Sequence, residues 1–274
     1  MQSIELDAPA KLNLFLELLR RRPDGYHELD SVFAEISLAD RVHLEKADKI
    51  SLTVEGEPAP ADPSNLVWRA AEALGLTARI HLRKRIPAGS GLGGGSSDAA
   101  ATLQGLVRLH DLAPEPGEIT KIARSLGADV PFFLHGGLAR CTGIGDEVAP
   151  LSGSAARRFV LLLPSLSMST EAVYGASESG LTGPRENANL FIRRYFGKGG
   201  GGPIPYFNRL QDIAERLEPR LRAVRVEAER RLGTPVCLSG SGSAYFAEIG
   251  KTGHVPGFEA SGTVVRVYEV ATET

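Results

Sequence analysis

The stretch PAGSGLGGGSSDAA, Pro87 to Ala100, packs five glycines and three serines into its first eleven residues and then runs into alanines. Such a run can be a flexible linker, a dinucleotide loop or a phosphate cradle, and its flanks decide between them. Before it, ARIHLRKRI (78–86) alternates as a strand does and ends at Pro87. After it, Asp98 to about His110 reads as a helix opening on Ser96, Ser97 and Asp98, which is good N-terminal chemistry. A linker has no reason to join a strand to a capped helix. Gly89, Gly91 and Gly94 match G-x-G-x-x-G, with Asp111 about twenty residues on. Yet the ribose-binding acid of a dinucleotide fold ends the next strand, and Asp111 directly follows the helix. A Walker loop needs Lys after its last glycine, whereas Gly95 is followed by Ser96 and Ser97; the Gly250-Lys251-Thr252 triplet has Tyr245 where the first glycine belongs. What remains is a cradle in which successive backbone amides converge on an anion, helped by the positive end of a helix worth about 0.3–2 kcal/mol. The hydroxyls of Ser96 and Ser97 can bond phosphate oxygen, and Ser97 is a candidate Mg²⁺ ligand.

The rest of the chain narrows the class. Its 274 residues allow one large domain or two ordinary ones, and 42% hydrophobic with 23% charged residues is the balance of a soluble globular protein. A formal net charge of −2 gives no electrostatic case for nucleic acid or membrane binding. The N-terminal segment lacks the basic-then-apolar layout of a signal peptide, no stretch approaches a membrane span, and two cysteines are too few for a disulfide framework. These features point to the cytoplasm. Oligomeric state leaves no mark.

Strands are expected over 4–19, 31–37, 41–46, 50–55 and 78–86, and helices over Asn65–Leu74, Asp98–His110 and Glu115–Leu126. A composition shift near Leu151 to Ser154 precedes the apolar strand Phe159–Leu163, which places a boundary between a first domain, 1–152, and a second domain, 153–274. In the latter, GKGGGGP (197–203) reads as a flexible loop. Two helices run from about Asn208 to Leu232, and strands follow near 236–238, 244–249 and 263–270. Without regular β-α alternation, the fold class is α+β in two domains, not a doubly wound sheet.

Four further segments carry chemistry. In APAKLNLFLEL, Leu12, Leu14 and Leu16 share one face of a strand while Lys11 and Asn13 share the other. That second face looks either into a cleft or out from a solvent edge. Lysine is scarce here, seven against twenty-four arginines, so Lys11 is not typical surface filler. RRPDGYHEL sets Tyr26 and His27 behind a Pro-Asp-Gly turn, where they can pack on a heterocycle or simply brace the turn. LGADVPFF puts Asp129 on a rigid turn, which reads first as an ordinary turn acid and second as a well-held base. LSGSGSAYF (238–246), with Ser239, Gly240, Ser241 and Gly242, is either a tight turn or the wall opposite the cradle.

Together these motifs resemble the GHMP kinases: the long glycine loop matches their P-x-x-x-G-L-G-S-S-A-A signature, and LSGSGSAYF their C-terminal glycine motif. The resemblance spans Pro9 to about Ile249 and implies a two-domain kinase with ATP and a small alcohol meeting in the cleft between domains. It implies ATP contacts from Asn65, Lys84, Pro87, Ala88, Gly89, Ser90, Gly91, Leu92, Gly93, Gly94, Gly95, Ser96 and Ser97. Asp129 would be the base, with Lys11 beside it balancing charge on the transferring group. Tyr26 and His27 would hold the cytosine of a substrate carrying a cytidyl diphosphate, Tyr174 would stack on its other face, Thr170 would reach it, and Asn13 would contact the alcohol. A kinase for another small alcohol, of homoserine or mevalonate type, and a silent nucleotide sensor are the alternatives. One departure stands out: the family's Asn-Asp-x-Glu reads Asn208-Arg209-Leu210-Gln211 here, a segment expected mainly to start a helix with Asn208 as cap.

Overall fold

The computed structural model describes residues 2–153, 156–177, 186–197, 204–250 and 256–272. The glycine-rich stretch 198–203 lies outside the described residues. Among those described, no helix is long and apolar enough to cross a membrane.

Two antiparallel-rich sheets form the frame. The first is built on β1 (Ser3–Arg21) and β2 (His27–Lys46), paired antiparallel along nearly their whole length. β3 (Ser51–Gly56) and β4 (Ala78–Lys84) extend it in the order β3-β4-β2-β1, while β5 (Leu138–Thr142) and β6 (Glu147–Pro150) branch from β2. The two strands expected over 31–37 and 41–46 are one strand. The pairing passes from Ala39, opposite Pro9, to Ile36, opposite Ala10, and the unpaired Ser37 and Leu38 form a bulge that lets the strand continue. A second shift between Asn13 and Phe15 falls beside Lys11, where a bulge re-aims side chains.

Four helices, α1 (Leu66–Ala73), α2 (Gly94–Leu109), α3 (Glu118–Leu126) and α4 (Val130–His135), belong to this domain. α2 packs on β1 and β2, and the alanines Ala99, Ala100 and Ala101 let it lie close. α2 begins four residues earlier than its sequence implied, because Gly93 takes a left-handed conformation (φ 73°) that turns the chain into the helix. The opposite face of β1 carries Leu12 and Leu14 into a core shared with Phe159, Leu161 and Phe246 of the second domain. β1 is therefore covered on both sides, and Lys11 does not sit on a solvent edge.

The second sheet runs β11 (Phe258–Ala260), β12 (Thr263–Ala271), β7 (Arg158–Pro164), β10 (Tyr245–Glu248), β9 (Cys237–Leu238), all antiparallel. The expected apolar strand Phe159–Leu163 is its buried centre. Among the described residues the domain also carries α5 (Thr170–Gly175), α6 (Ala188–Tyr195), α7 (Gln211–Leu217) and α8 (Pro219–Leu232). The short strand β8 (Phe207–Asn208) crosses over to pair parallel with β1 at Phe15 and Leu16, and Thr272 bridges to Ile36. The two domains are thus stitched through the first sheet.

Candidate active site

A cleft of about 1050 Å³ opens where the glycine loop, β1, the turn before β2 and the start of α5 converge. The loop leads into it with a division of its polar atoms. Its carbonyls are tied back: Met168 N–H donates to Gly89 O (3.3 Å), Ala244 N–H to Ser90 O (2.9 Å), the Ser239 hydroxyl to Gly91 O (3.2 Å) and Lys11 N–H to Leu92 O (2.9 Å). Its amides from Gly91 to Ser96 have no acceptor among the described residues. Backbone N–H groups left over in this way at a helix N-terminus form an anion nest. Gly91 is required for it. Its φ is +77°, and a Cβ there would sit 2.2 Å from Ser239 O, so the two glycine loops touch backbone to backbone.

Across the nest stands the pair expected to do the chemistry. Lys11 Nζ lies 3.6 Å from Asp129 Oδ2, with the lysine almost fully buried and the carboxylate about one-third exposed. The ammonium is held by a hydrogen bond to Asn13 Oδ1 and rests 4.6 Å from the centre of the Phe33 ring. Asn13 is held in turn: its Nδ2 donates to Ser31 Oγ (3.2 Å), which donates to Phe15 O (2.5 Å). Asp129 sits at the N-cap position of α4, with Pro131 in the first turn. Its carboxylate makes no capping bond, which leaves it turned to Lys11.

At one end of the cleft, the turn Pro23-Asp24-Gly25 is closed by Arg22 N–H to Tyr26 O (2.8 Å) and Tyr26 N–H to Asp24 Oδ1 (3.1 Å). Tyr26 is 61% exposed, while His27 is buried and its ring centre lies 5.8 Å from that of Tyr174. Ser177 Oγ is 3.3 Å from His27 Nε2. Burial and the charge of Asp129 both push the Tyr174 phenol up, so it stays a neutral hydroxyl near Asp129. Thr170 Oγ1 meets Ser241 Oγ at 2.9 Å.

At the other end, Asn65 and Lys84 line the cleft with both side chains engaged. Asn65 caps α1 through Val67 N–H (3.1 Å) and donates to Pro60 O (2.7 Å). Lys84 Nζ is clamped between Asp40 and Asp98, the latter at 2.6 Å. Asp40 also accepts from Ile86 N–H (2.9 Å), which fixes the approach to the glycine loop. The sequence reading missed this pair of acids. Asp98 lines the cleft, its Oδ1 is buried without a partner, and burial pushes its carboxyl up to about 7, with Lys84 drawing it down and Asp40 adding to the rise. The one local signal was an acid inside the glycine motif, which read as a helix-end residue.

Two expectations need correcting. Ser97 is not brought to the cleft: because α2 starts at Gly94, Ser97 lies within its first turn on the buried side. There it lines a separate cavity of about 250 Å³ with Glu35 and Gln104. Its hydroxyl is buried there without a hydrogen-bond partner among the described residues. Asn208 stands ahead of the helix it was expected to cap: α7 begins at Gln211 with Leu210 at the N-cap, Asn208 Oδ1 accepts from Leu210 N–H (2.9 Å) as a cap would, and its Nδ2 reaches towards the second glycine loop. Arg209, standing where the family pattern has an acid, faces buried Glu17 at 3.8 Å. The remaining residues singled out in the sequence, including Gly240 and Ser241, line one cleft; Ser239 and Gly242 form the back of their loop. Cys141 and Cys237 are buried, and burial pushes both thiols up, Cys237 to about 12, so neither is a poised nucleophile.

An amide nest facing a lysine–carboxylate pair between two α+β domains defines a small-molecule kinase of the GHMP type. Residues 65–137 match the GHMP kinases N terminal domain. The same fold, at 13% identity and a TM-score of 0.65, occurs in the mevalonate kinase of Methanococcus jannaschii, covering 99% of this chain and 98% of that one. Closer likeness covers the whole length. The chain is 37% identical to the 4-diphosphocytidyl-2-C-methyl-D-erythritol kinase of Protochlamydia amoebophila (93% of this chain, 87% of that protein). It is 40% identical to the enzyme of that name from Polaromonas naphthalenivorans (89% and 85%). A crystal structure of 4-(cytidine 5'-diphospho)-2C-methyl-D-erythritol kinase superposes with a TM-score of 0.79 at 36% identity, covering 99% of this chain and 100% of that one. This chain belongs to the 4-diphosphocytidyl-2-C-methyl-D-erythritol kinase family and is an ATP-dependent phosphotransferase.

Proposed function

We propose that the protein transfers the γ-phosphoryl group of ATP to the 2-hydroxyl of 4-diphosphocytidyl-2-C-methyl-D-erythritol, a step of isoprenoid precursor synthesis. The observation that carries this reading is the Lys11–Asp129 pair, 3.6 Å apart, in the same cleft as a nest of unpaired amides. The nest and the α2 end hold the nucleotide phosphates, with the nucleoside running towards Asn65, Lys84 and Asp98. His27, Tyr174 and Tyr26 hold the cytosine at the far end, and Thr170 faces the substrate beside Ser241. Asp129 orients the 2-hydroxyl and accepts its proton as the oxygen attacks the γ-phosphorus. The bond to the bridging oxygen breaks and ADP leaves. Lys11, fixed by Asn13 and Phe33, stabilises charge on the transferring group. This is catalysis by positioning and electrostatics, which a rigidly held cation and carboxylate can supply.

Mg²⁺ enters this reading with the nucleotide. No group of three acid, His or Cys side chains that could hold a metal is found among the described residues, and Ser97 is turned away. The residues present do not fit an ion held by the protein; phosphate oxygens and water are its natural ligands here. Bound there, it would neutralise charge on the β- and γ-phosphates.

Two further readings belong with this one. The domain boundary near residue 152 is supported by the second sheet, whose strands all follow that point. A cytoplasmic setting is supported by two buried cysteines that remain unpaired.

Incubation with ATP, Mg²⁺ and the cytidyl substrate is expected to give ADP and the 2-phosphate. Homoserine and mevalonate, offered in its place, are expected to give neither. Turnover of either with indifference to the cytidyl compound would move the protein to another GHMP specificity. ATP binding without any turnover would make it a sensor.

A further inference from the structure

We propose that Asn208 and Gln211 are positioning residues: they set the second glycine loop as a spacer of fixed thickness between the strand that carries Lys11 and the phosphate nest. This rests on the kinase reading above. Asn208 is buried and its amide is fully used. Nδ2 donates to both Leu238 O (2.8 Å) and Gly240 O (2.7 Å), and Oδ1 accepts from Leu210 N–H (2.9 Å). Three residues on, Gln211 Oε1 accepts from Leu238 N–H (2.8 Å). The loop from Leu238 to Gly240 is therefore gripped at three main-chain atoms by two side chains of one short segment.

That segment is itself fixed to the catalytic strand. In β8, Asn208 pairs with Leu16 of β1, and Arg209 N–H donates to Leu16 O (2.9 Å). The loop it grips touches both halves of the chemistry. Ser239 Oγ accepts from Asn13 N–H (3.2 Å) and donates to Gly91 O (3.2 Å). A Cβ at Gly240 would lie 2.9 Å from Gly91 O and 3.3 Å from Asn13 Oδ1, so there is no slack on either side. Moving this loop changes the separation between Lys11, held through Asn13, and the phosphates held through Gly91. A shift of that kind acts on the reacting geometry and not on the grip on either substrate, and a displacement of about 1 Å costs about 100-fold in rate. A glutamate side chain in place of Gln211 offers the same kind of oxygen to Leu238 N–H.

The test compares Gln211→Met, which keeps length and loses the acceptor, with Gln211→Glu, which keeps it. Turnover, both KM values and Tm are measured well below the melting range. The expected result is that Gln211→Met lowers kcat about 10-fold with the KM for ATP and for the cytidyl substrate each within about 3-fold, while Gln211→Glu stays within about 2-fold of wild type. Asn208→Ala is expected to lower kcat about 100-fold; should it fail to fold, the Gln211 pair decides alone. A Gln211→Met protein with lowered Tm and unchanged kcat would make the contact merely structural and overturn the proposal, as would a loss confined to KM. Wild-type protein with no turnover sinks the kinase reading itself, whereas active wild type with an indifferent Gln211→Met sinks only this one.

Discussion

Lys11 and Asp129 carry opposite charges at contact distance, yet their surroundings divide the work between them. Lys11 is locked by Asn13, the Phe33 ring and its own backbone bond to Leu92 O, whereas Asp129 is about one-third exposed and open to the cleft. Replacing the open partner removes the group proposed to meet the hydroxyl and leaves the nest intact. Asp129→Asn is accordingly expected to lower kcat by about 10²–10⁴-fold while ATP affinity, measured by calorimetry, changes no more than about 3-fold. Unchanged turnover would end the assignment of Asp129 as base. Asp98 makes a different prediction. The unfolded chain releases its proton near the ordinary 3.8, and the native protein holds it to about 7. Between those values the native state binds more protons, so this group lowers stability as pH rises through the window. Asp98→Asn is expected to flatten the dependence of the urea midpoint on pH across that range. An unaltered slope would show that Asp98 is ionised throughout. Neither Asp40 nor Asp98 stood out in the sequence as partners of Lys84, because the triad joins residues 44 and 14 positions apart and no local period links them.

Among the elements, the glycine loop is the one whose function follows from its backbone. Its carbonyls are committed to α5's approach, to the second loop and to β1, which fixes the direction of the amides before any ligand arrives. Gly91→Ala places a Cβ at positive φ and 2.2 Å from Ser239 O. The strain alone costs about 1–3 kcal/mol, so Tm is expected to fall by about 2–5 °C with a raised KM for ATP, read by thermal melts and initial rates. A variant with wild-type melting would show that the two loops are not in contact. The sequence made the strand–loop–helix order around this element legible, through alternation before it and alanine-rich periodicity after it. It did not make α4 legible: six residues of VPFFLH hold too few turns to show a period, and their helical geometry comes from packing of Phe132 and Phe133 against Phe33 and α2. The direction of Ser97 was hidden for a related reason. It depends on where the helix starts, and Gly93, not the serines, sets that point.

At the scale of the molecule, the two domains share their central strand. β8 from the second half pairs with β1, Thr272 bridges to Ile36, and Leu12, Leu14, Phe159 and Phe246 occupy one core. Domains joined through a common core and a common sheet unfold together. A single calorimetric transition is expected, with equal calorimetric and van't Hoff enthalpies, and ATP at about 100 times its Kd is expected to add about 2.7 kcal/mol to it as a whole. Two transitions, only one of them moved by ATP, would mean that the shared core does not couple the halves. The α+β class and the two-domain plan were readable from the irregular order of strands and helices. The crossing of β8 was not, since a two-residue strand leaves no pattern of its own.

The nest of amides in the glycine loop has a bearing on how this enzyme can change. Its grip on phosphate is written in main-chain atoms that every non-proline residue possesses, so mutation cannot tune it by exchanging one side chain for another. Drift at Ser90 or Leu92 leaves the donor groups in place, while any change that bends the path of the chain removes several at once. On the reading proposed above, donor binding is therefore buffered against most point mutations, and alterations of preference among alcohols have to be made elsewhere, at Tyr26, His27 and Tyr174, the side chains proposed to hold the substrate.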